Sequence, residues 1–557
     1  MIEYTPTSLE FTPSSFPAGG GAQRPGQPSP SSAPREVIAD LTTGLRLIAT
    51  LPTDFPQKAL SGIRHIVDCL AAQPPEIGVY LDVLEQARVS LYPCCESLGE
   101  RYRDNSLPLR ERDEDVFRQT METLRAMGKA YEHCVQALLH DRSAYDDQAR
   151  ARKLALALYR VIYYSCAILC EHYAARQEMP AGLWQQINRH YALAEEHDLA
   201  QKIVPEPIRE ENQDVCPATA YLAFLLIEIA NPYNYSLNDQ QMIRHLAWRW
   251  ASLVSIRPVD SLEDAPTFVI DLKEDKGLHQ PRNGMVSDSV WHPNIAFLTE
   301  KIRDTQAQMA DGATPEQLGL GEISVTRARR LLGKLLTPWS LLSSPRRFRR
   351  FATKGEARVT LGFEPMYTAI ANETFQQPDS AGRRSLITPL DNGLLPPTEA
   401  VHHEFIYDAW DVIDYSVNGF RLCRHIAGQQ IAYSQLIAVS SQGGANYQLG
   451  KVSWLIQDNE EDSLNLGVSM LPGNPQGVAV RSLTAPRGDR EPYAPAFRLP
   501  PLTPDGEAML VLPKGTFAAS RGLSLVCDEK VSRINLQKVV QRGLDFEVAS
   551  YLVVETK

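Results

Sequence analysis

The spacing of hydrophobic residues changes once along this chain, and that change limits the folds open to it. From about Arg35 to Arg257 apolar residues recur every three or four positions; beyond about Ser343 they alternate, and β-branched residues become common. The first pattern builds helices with one apolar face, the second half-buried strands. In the stretch beginning at Asp113, the residues Phe117, Met121, Leu124, Tyr131, Val135 and Leu138 share one helical face, with Glu, Arg and Lys opposite. Similar patterns run through Ile77–Tyr102, Ala149–Tyr173 and Leu183–Glu196, with Pro180 and Gly182 marking a helix end. A bundle of antiparallel helices, or a short helical-repeat array, satisfies this half.

A chain of 557 residues is too long for one core. The reading is therefore multidomain: a disordered tail over 1–35, a helical domain over 36–340, a β-rich domain over 341–475 and a second β-rich module over 476–557. The tail is assigned from Pro17–Pro34, which is almost empty of large apolar groups and cannot offset its ordering entropy. About 257–290 the helical domain becomes irregular, with a short strand at Thr267–Leu272 and a loop at Asp275–Pro281. Helices are expected again from about Pro293 to Met309 and at Ser324–Leu336, the latter stopping before Pro338. A polar insertion rich in Pro, Gly and Asn interrupts the first β-rich domain about 371–400. In the last module Ala508–Pro513, Gly522–Cys527, Val531–Val540 and Phe546–Val554 read as strands of a second small barrel or an extension of the first sheet.

Net charge of −11 argues against general nucleic-acid binding but leaves room for a local basic site that takes a small anion. Met1–Phe11 lacks the basic start and apolar stretch of a secretory signal. Leu154–Cys170 is interrupted by Arg160 and Ser165, and Tyr221–Ala230 is too short to span a bilayer, so both read as buried helices and no membrane span is expected. The nine cysteines form no C-x-x-C and are expected as free thiols in a reducing cytoplasm. Trp184, Ile187, Asn188 and Tyr191 resemble the first helix of a tetratricopeptide repeat, but the pattern occurs once, and core packing accounts for it.

Two segments carry the functional reading. Ser344–Phe351 places Arg346, Arg347, Arg349 and Arg350 within five positions, in a basic stretch with Arg327, Arg329, Arg330, Lys334, Lys354 and Arg358. In an acidic protein such a cluster implies an anion site, and the planar arginine fork suits phosphate. Further on, Val412–Leu422 reads as two strands around a tight turn at Asn418-Gly419, since both residues tolerate positive φ. Asp414 and Ser416 stand at the end of the first strand. A carboxylate there can accept hydrogen bonds from a guanine edge, and a hydroxyl can donate or accept.

Arg346-x-x-x-Arg350 followed by Asp414-x-Ser416-x-x-Gly419 resembles the two-part signature of PilZ domains, the cyclic di-GMP-binding β-barrels of bacteria. Leu449–Trp454 and Leu466–Met470 resemble that family's closing strands. The resemblance covers roughly Ser344 to Leu471. It implies an antiparallel barrel in which Arg346 and Arg350 hold phosphates and stack on guanine, with Arg347 and Arg349 as helpers. Asp414 and Ser416 would then read a guanine edge, and Gly419 would permit the turn. Arg350 and Asp414 lie 64 positions apart, more than the family usually shows, and Asn418 stands where a second glycine is favoured. The implied protein is a cytoplasmic cyclic di-GMP receptor without catalytic residues, metal or cofactor. Its helical domain would contact a protein partner or a second copy. The alternative is a barrel that no longer binds and serves as a scaffold.

Other chemistry finds little support. His402, His403 and Glu404 are adjacent, so on a strand the two histidines face opposite sides and do not share a metal. No G-x-S-x-G, Walker-type loop or H-E-x-x-H is present, and Asp411 and Asp414 fall on opposite faces of a regular strand.

Overall fold

The structure, a computed structural model, describes residues 36–141, 145–208, 214–259, 267–281, 287–341, 349–378, 407–441, 446–483, 491–501, 506–528 and 530–556. By its contacts the chain divides into Met1–Val37 and a compact unit, Ile38–Lys557, to which the following refers. The expected tail therefore lies outside the described residues.

The helical part contains α1 (Leu41–Ala49), α2 (Pro56–Ala72), α3 (Ile77–Gly99), α4 (Glu111–His140), α5 (Asp147–Ala175), α6 (Leu183–Glu196), α7 (Pro217–Ile229) and α8 (Leu237–Trp250). The long helices α4 and α5 lie against each other at its centre. Asp146 caps α5 by accepting the Ala149 N–H, and Arg176 ends it in a left-handed conformation, φ 55°. Helix α5 is long and apolar enough to cross a membrane, but most of its apolar stretch is buried in this core. Trp184, Ile187 and Tyr191 are buried too, as core packing requires. The bundle also buries charge. Arg160, fully inaccessible, donates to Glu85 and Glu206, and Arg88 bonds the same two carboxylates. Each guanidinium has carboxylate partners, the condition under which burying ions is tolerable.

A small antiparallel sheet follows, ordered β1 (Ser255–Pro258), β3 (Val290–Asn294), β2 (Ile270–Asp271), then α9 (Ala296–Ala310) and α10 (Val325–Trp339). Two expectations are corrected here. Pro293 belongs to β3, not to a helix: it pairs with Ile256, while β2 reaches only Val290 and Trp291, so its missing N–H falls where the strand is an edge. Helix α10 runs through Pro338 because Trp339, fully buried, donates its indole N–H to the Leu226 carbonyl at 2.8 Å and fixes the last turn.

The strands β4 (Phe351–Ala352), β5 (Glu356–Leu361), β6 (Asp408–Ser416), β7 (Gly419–His425), β8 (Leu436–Ser440), β9 (Gln448–Asp458) and β10 (Ser463–Met470) form an antiparallel sheet ordered β4-β6-β5-β8-β9-β10-β7. Strand β7 also pairs with β6, so the sheet closes into a barrel. Both β4 and β5 lie along one edge of β6, as one strand broken at Thr353–Gly355. Helix α11 (Phe363–Ala371) leads from β5 to residues 379–406, which lie outside the described residues with most of the expected insertion and with His402, His403 and Glu404.

A second barrel is ordered β11 (Gln476–Ser482), β12 (Ala494–Leu499), β13 (Met509–Pro513), β16 (Phe546–Thr556), β15 (Lys530–Arg542), β14 (Gly522–Cys527). Here β11 and β12 join the four strands read from the sequence. Met366 and Tyr367 of α11 pack with Leu436, Ala438 and Leu449 of the first barrel against Phe497, Val511 and Phe546 of the second.

The helical part and the first barrel share one apolar core. Backbone bonds also join them. Leu107 and Ile431 exchange two bonds of 2.8 Å, the Gln457 N–H donates to the Arg176 carbonyl at 2.9 Å, and the Glu178 N–H donates to the Gln457 carbonyl at 2.7 Å. Arg176, 1% exposed, donates to the carbonyls of Tyr233 and Tyr235 and to Asp104, with its guanidinium 4.0 Å from the Tyr433 ring centre. The nine cysteines, all among the described residues, form no disulfide.

Candidate functional site

Strand pairing brings the two halves of the sequence signature together. In the β4–β6 ladder Phe351 faces Tyr415 and Ala352 faces Asp414, so the residue just before β4 is delivered beside the carboxylate. Arg350 Nη1 donates to Asp414 Oδ1 at 2.9 Å across the 64 intervening positions. The Arg349 guanidinium sits 5.4 Å from the Phe351 ring centre, and that ring lies 5.7 Å from Tyr415. Arg346 and Arg347 lie outside the described residues.

The register shows which face these groups occupy. Val412, Leu422, Leu466 and Leu455 are cross-strand partners in turn and all are buried, so that row points into the barrel. A bulge at Ile413 on β6 follows it, and the next row, Asp414, Arg421, Gly467 and Trp454, lies on the outer face of β6, β7, β10 and β9. Beyond it, Ser416, Gly419, Ser469 and Lys451 form a second outer row. Asp414 and Ser416 thus share one surface with two cations, Arg421 and Lys451, which the spacing of the sequence motif does not single out. A row of register partners becomes visible only once the strands are paired. An open depression of about 630 Å³ adjoins this surface where β4 and β5 part, lined by Ala352–Gly355 and Asp411–Ile413.

Glycine keeps the surface low, though not for the reason expected. Neither Asn418 nor Gly419 has positive φ; Gly419 is the first residue of β7. A Cβ on Gly419 would lie 2.1 Å from the Val468 carbonyl oxygen, so close approach of β7 and β10 is what demands glycine. Gly467 makes room in the same way for the Trp454 indole, whose Nε1 would lie 2.0 Å from an added Cβ. Burial, reinforced by the charges of Lys334 and Arg330, holds the Lys451 ammonium below the usual lysine range. Among the described residues no group of three or more His, Cys, Asp or Glu is placed to hold a metal.

Fold and site together define a helical protein that carries two closed β-barrels, the first with an arginine–carboxylate pair on its outer wall. Comparison with known families is in keeping with this. Residues 43–260 match the family model described as the N-terminal domain of the cyclic-di-GMP receptor FimW, and residues 478–553 match that of the FimW C-terminal β-barrel domain. Neither match covers the first barrel, which lies between them. No curated protein and no solved structure matches the chain.

Proposed function

We propose that this protein is a non-enzymatic, cytoplasmic receptor for cyclic di-GMP, and that its first barrel is a PilZ-like ligand site. The observation that carries the reading is the 2.9 Å bond between Arg350 and Asp414 on the outer barrel wall. It lies in a chain whose helical part and last barrel both match domains of a cyclic-di-GMP receptor family. Arg350, with Arg346 and Arg347 from the preceding segment, takes the ligand phosphates; Asp414 accepts hydrogen bonds from a guanine N–H edge; Ser416 bonds the same base; Gly419 keeps the floor clear.

Without ligand, Asp414 holds the Arg350 guanidinium. When the guanine edge takes over the carboxylate, Arg350 turns to phosphate, and one ion pair is exchanged for two charge-assisted contacts. The signal then passes along the segment that joins α10 to β4. The helical part is bonded through its backbone to the barrel at Leu107, Arg176 and Glu178, so the ligand reshapes this segment and the surface beside it. A protein partner or a second copy reads that change through the helical part.

Titration calorimetry tests the reading. Wild-type protein is expected to bind cyclic di-GMP, and Arg350→Ala or Asp414→Ala to weaken binding about tenfold or more, the loss of one charged hydrogen bond. No heat from wild type at ligand concentrations on the order of tens of micromolar defeats the receptor reading and leaves a scaffold.

A further inference from the structure

The outer wall carries more positive charge than the two-part signature uses. Lys451, half-buried at the β9 end of the row that begins at Ser416, forms no ion pair with a carboxylate among the described residues. The basic face of α10 stands over it. Arg327, Arg330 and Lys334 recur at three- and four-residue steps and so share one side of that helix. Lys334 Nζ lies 5.5 Å from the Tyr235 ring centre. The neighbouring Asn234 carbonyl accepts the Tyr433 hydroxyl at 2.8 Å, and the Ser434 N–H bonds the Val452 carbonyl at 2.9 Å, one residue from Lys451. Asp239 already serves Arg327 at 2.7 Å and Arg330 at 3.5 Å. Lys451 thus lies near the cations of α10, and among the described residues Asp239 pairs with only Arg327 and Arg330 of them.

We infer that Lys451 and Lys334 form a second phosphate contact for the cyclic dinucleotide, opposite Arg350, so that the ligand ties α10 to the barrel. This rests on the receptor reading and deepens it. From β6 to β9 the wall spans three inter-strand spacings, about 14 Å. The long side chains of Arg350 and Lys451 reach inward from its two ends and leave the two ring phosphates between them. Gly419 and Gly467 keep the ground between them low. A phosphate there also relieves the mutual repulsion of Lys451, Lys334 and Arg330, a gain available only in the bound state.

The test is cyclic di-GMP titration of the full chain carrying Lys334→Ala or Lys451→Ala, with Arg350→Ala and Lys530→Ala (a lysine of the second barrel) as controls. Each lysine variant is expected to bind about tenfold more weakly while Lys530→Ala binds as wild type. Lys334 is exposed, so its variant keeps the fold. If Arg350→Ala weakens binding and both lysine variants match wild type, this inference falls and the receptor reading stands. An equal loss in Lys530→Ala reduces the effect to net charge and also overturns it. Absence of binding by wild type removes both.

Discussion

Arg176→Met should weaken the helical seat on which the first barrel rests by a calculable amount. Methionine keeps much of the aliphatic stem and faces the same left-handed backbone cost as arginine, so the substitution isolates the guanidinium. Three acceptors lose it. The Tyr233 carbonyl, bonded at 2.9 Å, is left buried, at about 2 kcal/mol. The Tyr235 carbonyl keeps a long 3.4 Å bond from Gln240, so its loss is about 1 kcal/mol. Asp104, its side chain 35% exposed, turns to water and adds little. The total is about 3 kcal/mol, read in urea denaturation as a midpoint shift of about 1 M for a slope of about 3 kcal/mol/M. Tyr433→Phe, which removes only the 2.8 Å bond to Asn234, should cost about a third as much. A midpoint for Arg176→Met within about 0.2 M of wild type refutes the view that this guanidinium holds the Tyr233–Tyr235 segment in place beneath the barrel.

Gly419→Ala should lower stability by about 1–3 kcal/mol, since its Cβ meets a backbone oxygen that moves only if β7 and β10 separate; thermal unfolding measures the loss. Burial pushes the Glu228 carboxyl up to about 8, so the folded state holds a proton that the unfolded chain releases near 4.3. Stability therefore falls as pH rises between those values, and Glu228→Gln should raise the urea midpoint more at pH 8 than at pH 5 (roughly the two ends of that window). Equal gains at both pH values would count against it.

Much of the fold was legible because local pattern and tertiary need agree. Leu183–Glu196 and Gly522–Cys527 have the bounds that periodicity assigns, each helped by a flanking turn or glycine. Pattern failed where a distant contact decides. The Trp339 indole carries α10 past Pro338, and the open edge of β3 accepts Pro293. Strand β12 contains Pro495, a residue that argues against a strand until its partners are known. The site divides in the same way. Asp414, Ser416 and Gly419 sit on one hairpin and could be read from their spacing, whereas Arg421 and Lys451 gain meaning only from β7, β9 and β10 lying side by side.

The bonds at Gln457 bear on how such a protein can be taken apart. Arg176 and Glu178 use the barrel's own main chain as their partner, so cutting between α10 and β4 frees nothing that was self-sufficient. The excised piece would bare hydrogen-bonding groups and an apolar wall that the helices now cover. Exchanging this barrel for another would mean rebuilding the helical seat as well; barrel and chassis are one casting.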